Sequence, residues 1–253
     1  MRLEARNALI TGGGSGIGLE LARRLAARGN DVVIAGRDLA KLELAREESP
    51  ALRPLRLDVT SEEDAALALG RVSAELGGLD LLVNCAGVMH GGPLDTPAAA
   101  GTTREELEVN LGGTVRMTRL ALPLLQASPE AAVVFLSSAV ALAAVPGLAV
   151  YAATKAALHS LARSLRAELA DGHIRVVEVL PPVVDTGLAQ DLDVPKLRPS
   201  TVAEAIVEGL ARDRDQIAVG RIRQLVPLAR VVPRLADRLV LRSLQPSRSR
   251  GSR

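Results

Sequence analysis

Asn7-Ala-Leu-Ile-Thr11 runs straight into Gly12-Gly-Gly-Ser-Gly-Ile-Gly18, and helical spacing starts at once with Leu19, Leu21, Ala22, Leu25 and Ala26 on one face. Gly29-Asn30 then reads as a C-cap. Glycine in a tight turn is demanded by the turn itself, so a glycine-rich turn alone says little. Between a strand and a helix it does more. It lets a pyrophosphate approach the backbone, with N–H groups and the helix N-terminus facing the anion. Gly12, Gly14, Ser15, Gly16, Ile17 and Gly18 are therefore candidate dinucleotide-binding residues.

The alternation continues along the chain. Strands are expected at 31–37, 55–59, 79–83, 132–136, 174–180 and 216–219, and helices at 39–48, 61–76, 103–127, 150–170 and 202–211. Residues 88–102 and 187–199 read as loops, and Pro123 is expected to kink the long helix near its end. Gly112-Gly113 in the same helix suggests close packing on the sheet. The strands are near-continuously apolar, which calls for a parallel sheet covered on both faces. Right-handed crossovers then give an α/β, single-domain, Rossmann-like doubly wound parallel sheet of about seven strands with helices on both faces.

Two strand ends bear on ligand choice. An acid after the second strand would accept from a ribose 2′-hydroxyl and repel a 2′-phosphate, whereas an arginine does the reverse. This chain has Gly36-Arg37, which points to NADP(H) over NAD(H); the plainer role for Arg37 is a solvated loop residue before Asp38. Asp58, beside Val59, is a candidate for hydrogen bonding near the adenine.

The segment 138–155 holds the most distinctive chemistry. Tyr151 is the one tyrosine, and Lys155 is one of three lysines among 31 basic residues. Four residues apart on a helix, they share a face. An ammonium beside a phenol favours the phenolate and lowers a pKa normally near 10, giving a proton donor or acceptor near neutral pH. The bland alternative is an amphipathic surface pair. Against it, a surface position in this chain would carry arginine, and Ser138 lies thirteen residues upstream at the end of an apolar run.

Composition narrows the setting. A chain of 253 residues with 48% hydrophobic content can bury a large core. A single cysteine, Cys85, forms no internal disulfide, and neither a signal segment nor an apolar run of about 18 residues is evident. A cytoplasmic protein without a metal site is expected. The net charge of +2 hides a basic arm: in 221–253 Asp237 is the sole acid among many arginines.

Taken in order, Thr11–Gly18, Asp58, Asn84-Cys-Ala-Gly87, Asn110, Ser138, Tyr151-Ala-Ala-Thr-Lys155 and 181–186 resemble the motifs of the short-chain dehydrogenase/reductase family over 7–220. Ser138 rather than Ser137 gives the family's spacing to Tyr151. The resemblance implies hydride transfer between nicotinamide C4 and a carbonyl or carbinol carbon. Tyr151 would be the acid–base, Lys155 would hold the ribose and tune the phenol, and Ser138 would bind the substrate oxygen. Asn110 would position a relay water. Asn84, Ala86, Gly87, Pro181, Val184 and Thr186 would line the cofactor. Pro181-Pro182 and Cys85 depart from the family's commoner residues.

Residues 1–220 thus read as a catalytic domain and 221–253 as an arm. In the arm Leu225, Leu228, Val231, Val232, Leu235, Leu239 and Leu244 interleave with Arg230, Arg234, Arg238 and Arg242, while Pro227 and Pro233 preclude one continuous helix. It could serve as a lid over a hydrophobic substrate, a dimer contact or a peripheral segment on anionic lipid. Residues 247–253 look disordered. With no aromatic stacking platform, nucleic acid is not an expected partner. A homo-oligomer, dimer ahead of tetramer, is expected through 103–127 and 150–170. The rival to a carbonyl reductase is a dinucleotide-binding sensor or scaffold docked by its basic arm.

Overall fold

The computed structural model describes residues 1–243. Its centre is a seven-stranded sheet in the order β3-β2-β1-β4-β5-β6-β7. The strands are β1 (Asn7–Thr11), β2 (Asp31–Gly36), β3 (Leu52–Arg56), β4 (Leu81–Asn84), β5 (Ala131–Leu136), β6 (Ile174–Leu180) and β7 (Gln216–Ala218), every neighbouring pair parallel. The crossovers are α1 (Gly16–Ala26), α2 (Leu39–Glu48), α3 (Glu62–Leu76), α4 (Ala99–Glu106), α5 (Thr114–Ala127), α6 (Ala149–Glu168) and α7 (Pro199–Ala211).

Period-two alternation sends successive strand residues to opposite layers. Ala8 and Ile10 of β1 pack with Leu21 and Leu25 of α1 and Ile206 and Leu210 of α7. Leu9, between them, packs with Val72 of α3, Met117 of α5 and Ala162 of α6. Burial on both faces explains why the strands lack polar alternation. The order reverses between β1 and β4, so their carboxyl ends open the crevice where such sheets bind ligands.

Several boundaries differ from expectation for definable reasons. β3 begins at Leu52, three residues before the expected start, and includes Pro54. Proline donates no ladder hydrogen bond, but β3 is an edge strand and tolerates it. Asp58 therefore lies beyond the strand; Leu57 N–H still reaches Gly36 O at 2.9 Å. The helix expected from 103 starts at Ala99 and is interrupted by a π-helical turn, Leu107–Gly113, between α4 and α5. Of the glycine pair, Gly113 alone packs closely: a Cβ there would lie 2.7 Å from Val59 Cγ2.

The arm forms two helices, α8 (Ile222–Val231) and α9 (Pro233–Ser243), broken at Val232. Pro227 sits within α8, and Pro233 occupies the first position of α9, where its missing N–H costs nothing. Ile222, Leu225, Ala236 and Val240 pack on Ala139, Leu148, Tyr151 and Leu180, a third core cluster above the strand ends. The expected disorder of 247–253 lies outside the described residues, as does Leu244.

Gly113→Ala is predicted to destabilise by about 1–2 kcal/mol, because overpacking on Val59 exceeds the roughly 1 kcal/mol gained in helix propensity. Gly112→Ala, whose Cβ would meet nothing closer than 3.4 Å, should be neutral or stabilising. Chemical denaturation of the two variants makes the comparison.

Candidate active site

β5 delivers its last residue, Leu136, to the crevice and hands the chain to Ser137 and Ser138. Ser138 caps a short 3-10 turn (Ala139–Leu142), its Oγ accepting from Val140 N–H at 3.3 Å. Ala139 N–H donates to Pro181 O at 3.0 Å, tying this turn to the end of β6. Tyr151 and Lys155 follow in the first two turns of α6, both buried and both facing the same cleft. Lys155 Nζ lies 5.5 Å from the phenol ring centroid and donates to Leu136 O at 2.8 Å. Ser137 Oγ donates in return to Lys155 O at 3.1 Å. Strand end and helix start are thus locked together through the two groups of interest.

The electrostatics correct one expectation. Burial, followed by the charges of Glu106 and Cys85, pushes the Tyr151 phenol above its ordinary value, opposed by a hydrogen bond with Ser138. Lys155 is not among the groups that shift it; burial pulls the lysine's own pKa down to about 8. Burial also pushes the Cys85 thiol up to about 11. In the ligand-free protein the phenol is a held proton.

Asn110 sits in the π-turn, fully buried. Its Oδ1 accepts from Val88 N–H and its Nδ2 donates to Val88 O, both at 2.8 Å, with a further bond from Nδ2 to Thr154 Oγ1 at 3.3 Å. The amide is therefore committed to holding the loop after β4 against α6. Glu106, which the sequence did not single out, is 2% exposed. It accepts from His90 N–H at 2.6 Å, and burial raises its pKa. A π-turn adds a residue per turn and reorients what precedes it, a rotation invisible to helical periodicity. Asn84 turns away from the cleft, donating to Thr118 Oγ1 at 3.1 Å, while its buried Oδ1 has no partner.

The glycine turn is tight enough to admit a dinucleotide. Gly12 (φ +67°) has its Cβ position 2.9 Å from the backbone of Ala86, and Gly16 (φ +55°) has its own 2.8 Å from Thr186 Cγ2. A Cβ on Gly18 would sit 2.4 Å from Gly12 O. Thr11 Oγ1, another residue the sequence reading missed, accepts from Cys85 and Ala86 N–H at 3.1 Å. Turn, β4 loop and Thr186 are therefore closely packed, and Gly14, Ser15 and Ile17 complete the cradle, with the Ile17 side chain bordering the cleft. At its far end Arg37 is half-exposed, 3.7 Å from Glu105. Burial pushes Asp58 up, but hydrogen bonds from Thr60 and the charges of Arg37 and Arg56 outweigh it, so its carboxyl is held low. Val59 faces elsewhere, its carbonyl accepting from Arg116 Nη1 at 2.7 Å.

Between cradle and arm lies a cleft of about 1030 Å³. Ile17, Gly87, Ser138, Tyr151, Lys155, Pro181, Val184 and Thr186 border it, as do Leu225, Leu228 and Leu239 from the arm. Gly12, Gly14, Ser15, Gly16, Gly18, Arg37, Asp58, Val59, Asn84, Ala86 and Asn110 do not. The cleft itself is mostly apolar; its ionisable lining residues are Cys85, Tyr151 and Lys155, with Arg221 on the arm side.

The family profile described as short chain dehydrogenase matches residues 6–196. The chain belongs to the short-chain dehydrogenase family. It is 34% identical over 236 residues to the uncharacterized oxidoreductase DltE of Bacillus subtilis, covering 89% of this chain and 92% of that protein. A short chain dehydrogenase from Burkholderia cenocepacia, solved in complex with NADP, superposes with a TM-score of 0.84 at 30% identity over 97% of this chain and all of that one. A 3-ketoacyl-(acyl-carrier-protein) reductase from Brucella melitensis, complexed with NADH, gives 0.77 at 30% identity over 86% and 97%.

In this short-chain dehydrogenase the buried lysine yields a pH prediction. Its folded pKa of about 8 lies below the ordinary 10.5. The unfolded chain therefore holds a proton that the folded one has released between those values. The associated stability is present above 10.5 and lost as pH falls through about 8. Thermal or denaturant unfolding should show wild type gaining up to about 3 kcal/mol on Lys155→Met between pH 8 and 10.5.

Proposed function

We propose that this short-chain dehydrogenase is an NADP(H)-dependent carbonyl reductase or alcohol dehydrogenase acting on a ketone or secondary alcohol of a hydrophobic substrate. The observation that carries the proposal is the buried phenol of Tyr151, joined to Ser138 and Lys155 at the base of an apolar cleft that opens onto the glycine cradle. A bound nicotinamide supplies or takes the hydride. Tyr151, kept protonated by burial, donates to the carbonyl oxygen as charge develops there. Ser138 Oγ steadies the same oxygen. Lys155 spends one donor on Leu136 O, and its remaining donors would hold the ribose hydroxyls of a bound dinucleotide. Its ammonium stabilises the phenolate left after transfer. Asn110 holds the loop that closes the site, and its neighbourhood to Gly87 and Lys155 supports a proton path past α6.

Arg37, at the edge of the cradle, supports the choice of NADP(H), while the neighbours, in complex with NADP and with NADH, support a nicotinamide dinucleotide without deciding between the two. The substrate class rests on the apolar lining and the packing of α8 and α9 above it.

Tyr151→Phe should cut turnover by a factor of about 10²–10⁴ on a panel of hydrophobic ketones while leaving dinucleotide binding intact; retained turnover would overturn the mechanism. A wild-type protein that binds dinucleotide yet turns over none of the panel would instead support the sensor reading. In fluorescence titrations NADPH should bind more tightly than NADH, and Arg37→Asp should narrow or reverse that gap. Equal affinities would discard Arg37 as the discriminator.

A further inference from the structure

The outer face of the arm takes no part in the cleft chemistry. α8 and α9 turn Ile222, Leu225, Ala236 and Val240 inward, and Asp237 Oδ1 pins α9 down by accepting from Ala144 N–H at 2.9 Å. That leaves Val231, Val232 and Leu235 turned outward at the helix junction, 79%, 43% and 42% exposed. Leu239 continues the strip one turn further and borders the cleft mouth. Within α9, Leu235 and Leu239 lie four residues apart on one face, and Arg234 and Arg238 share the same interval one residue earlier; Arg230 and Val231 bring the same pair of residue types to the end of α8. All three arginines are exposed, and among the described residues none is paired with an acid.

We propose that this face docks on an anionic bilayer surface. The apolar strip would sink into the headgroup boundary while the adjacent arginine row meets lipid phosphates, the pattern of an interfacial helix lying in the membrane plane. Charge complementarity selects the occupant: Asp237 is the sole acid of the arm, and its carboxylate is turned inward onto Ala144. Among the described residues no helix is long and apolar enough to cross a membrane, so the contact is peripheral. Leu239 belongs both to the strip and to the cleft lining, so docking by this face would bring the cleft close to the lipid surface. This docking does not depend on catalysis.

The test is co-sedimentation of the full chain with vesicles of phosphatidylcholine alone and of equimolar phosphatidylcholine and phosphatidylglycerol. Binding to the phosphatidylglycerol vesicles only, released by added salt, is expected. The triple variant Arg230→Glu, Arg234→Glu, Arg238→Glu should bind at least about tenfold more weakly, and Leu235→Ser should also weaken binding. Unfolding temperature and dinucleotide affinity, both expected to match wild type, show that the variants remain folded. Equal sedimentation with both vesicle types, or full binding by the folded triple variant, would overturn the proposal. So would a fall in molar mass by light scattering in that variant, since the face would then be a contact between copies of the chain.

Discussion

One ammonium, taken out of water and given a single main-chain carbonyl, organises this site. Burying a charge is costly unless it is paired, and Leu136 O is the hydrogen-bond acceptor that Lys155 finds among the described residues. That acceptor exists because β5 stops at Leu136, leaving its last carbonyl free of the ladder at the crevice. Ser137 closes the loop from the other direction. The result fixes the start of α6 against the end of β5, and with it the position of Tyr151. Lys155 faces the cleft with this one side-chain hydrogen bond among the described residues.

The same burial sets the character of the phenol. Neighbouring positive charge would draw the proton off, but desolvation and the nearby Glu106 carboxyl push the other way and dominate. The phenol's pKa is thus raised in the ligand-free protein, in keeping with the proton-donor role proposed for it. Tyr151 belongs to the third core cluster, to which α8 and α9 contribute Ile222, Leu225, Ala236 and Val240. Arm and acid–base chemistry are therefore linked physically: loosening the arm would wet the phenol.

The sheet was legible because its strands are apolar on both faces and its turns are marked by glycine. Where the reading slipped, a specific interaction intervened. Pro54 masked the start of an edge strand, and a π-turn hid both the burial of Glu106 and the clamp made by Asn110. Spacing placed Tyr151 and Lys155 on one face but carried no information about solvent, so the direction of the phenol's shift was misjudged. Thr11 is signalled only by its place immediately before the glycines; its role as acceptor for two loop amides is a tertiary fact. The arm's division into two helices followed from Pro233, whereas its packing over the cleft could not be read from composition.

Because Tyr151 is the one tyrosine and tryptophan is absent, the near-ultraviolet absorbance of phenolate reports this group directly. A pH titration of the ligand-free protein should show no phenolate step until well above the ordinary value near 10, with the step moving downward when oxidised NADP is bound and its positive ring sits nearby. A step at the ordinary value, unmoved by the dinucleotide, would mean that the phenol is solvated and apart from the cofactor cleft, contradicting the account at its centre.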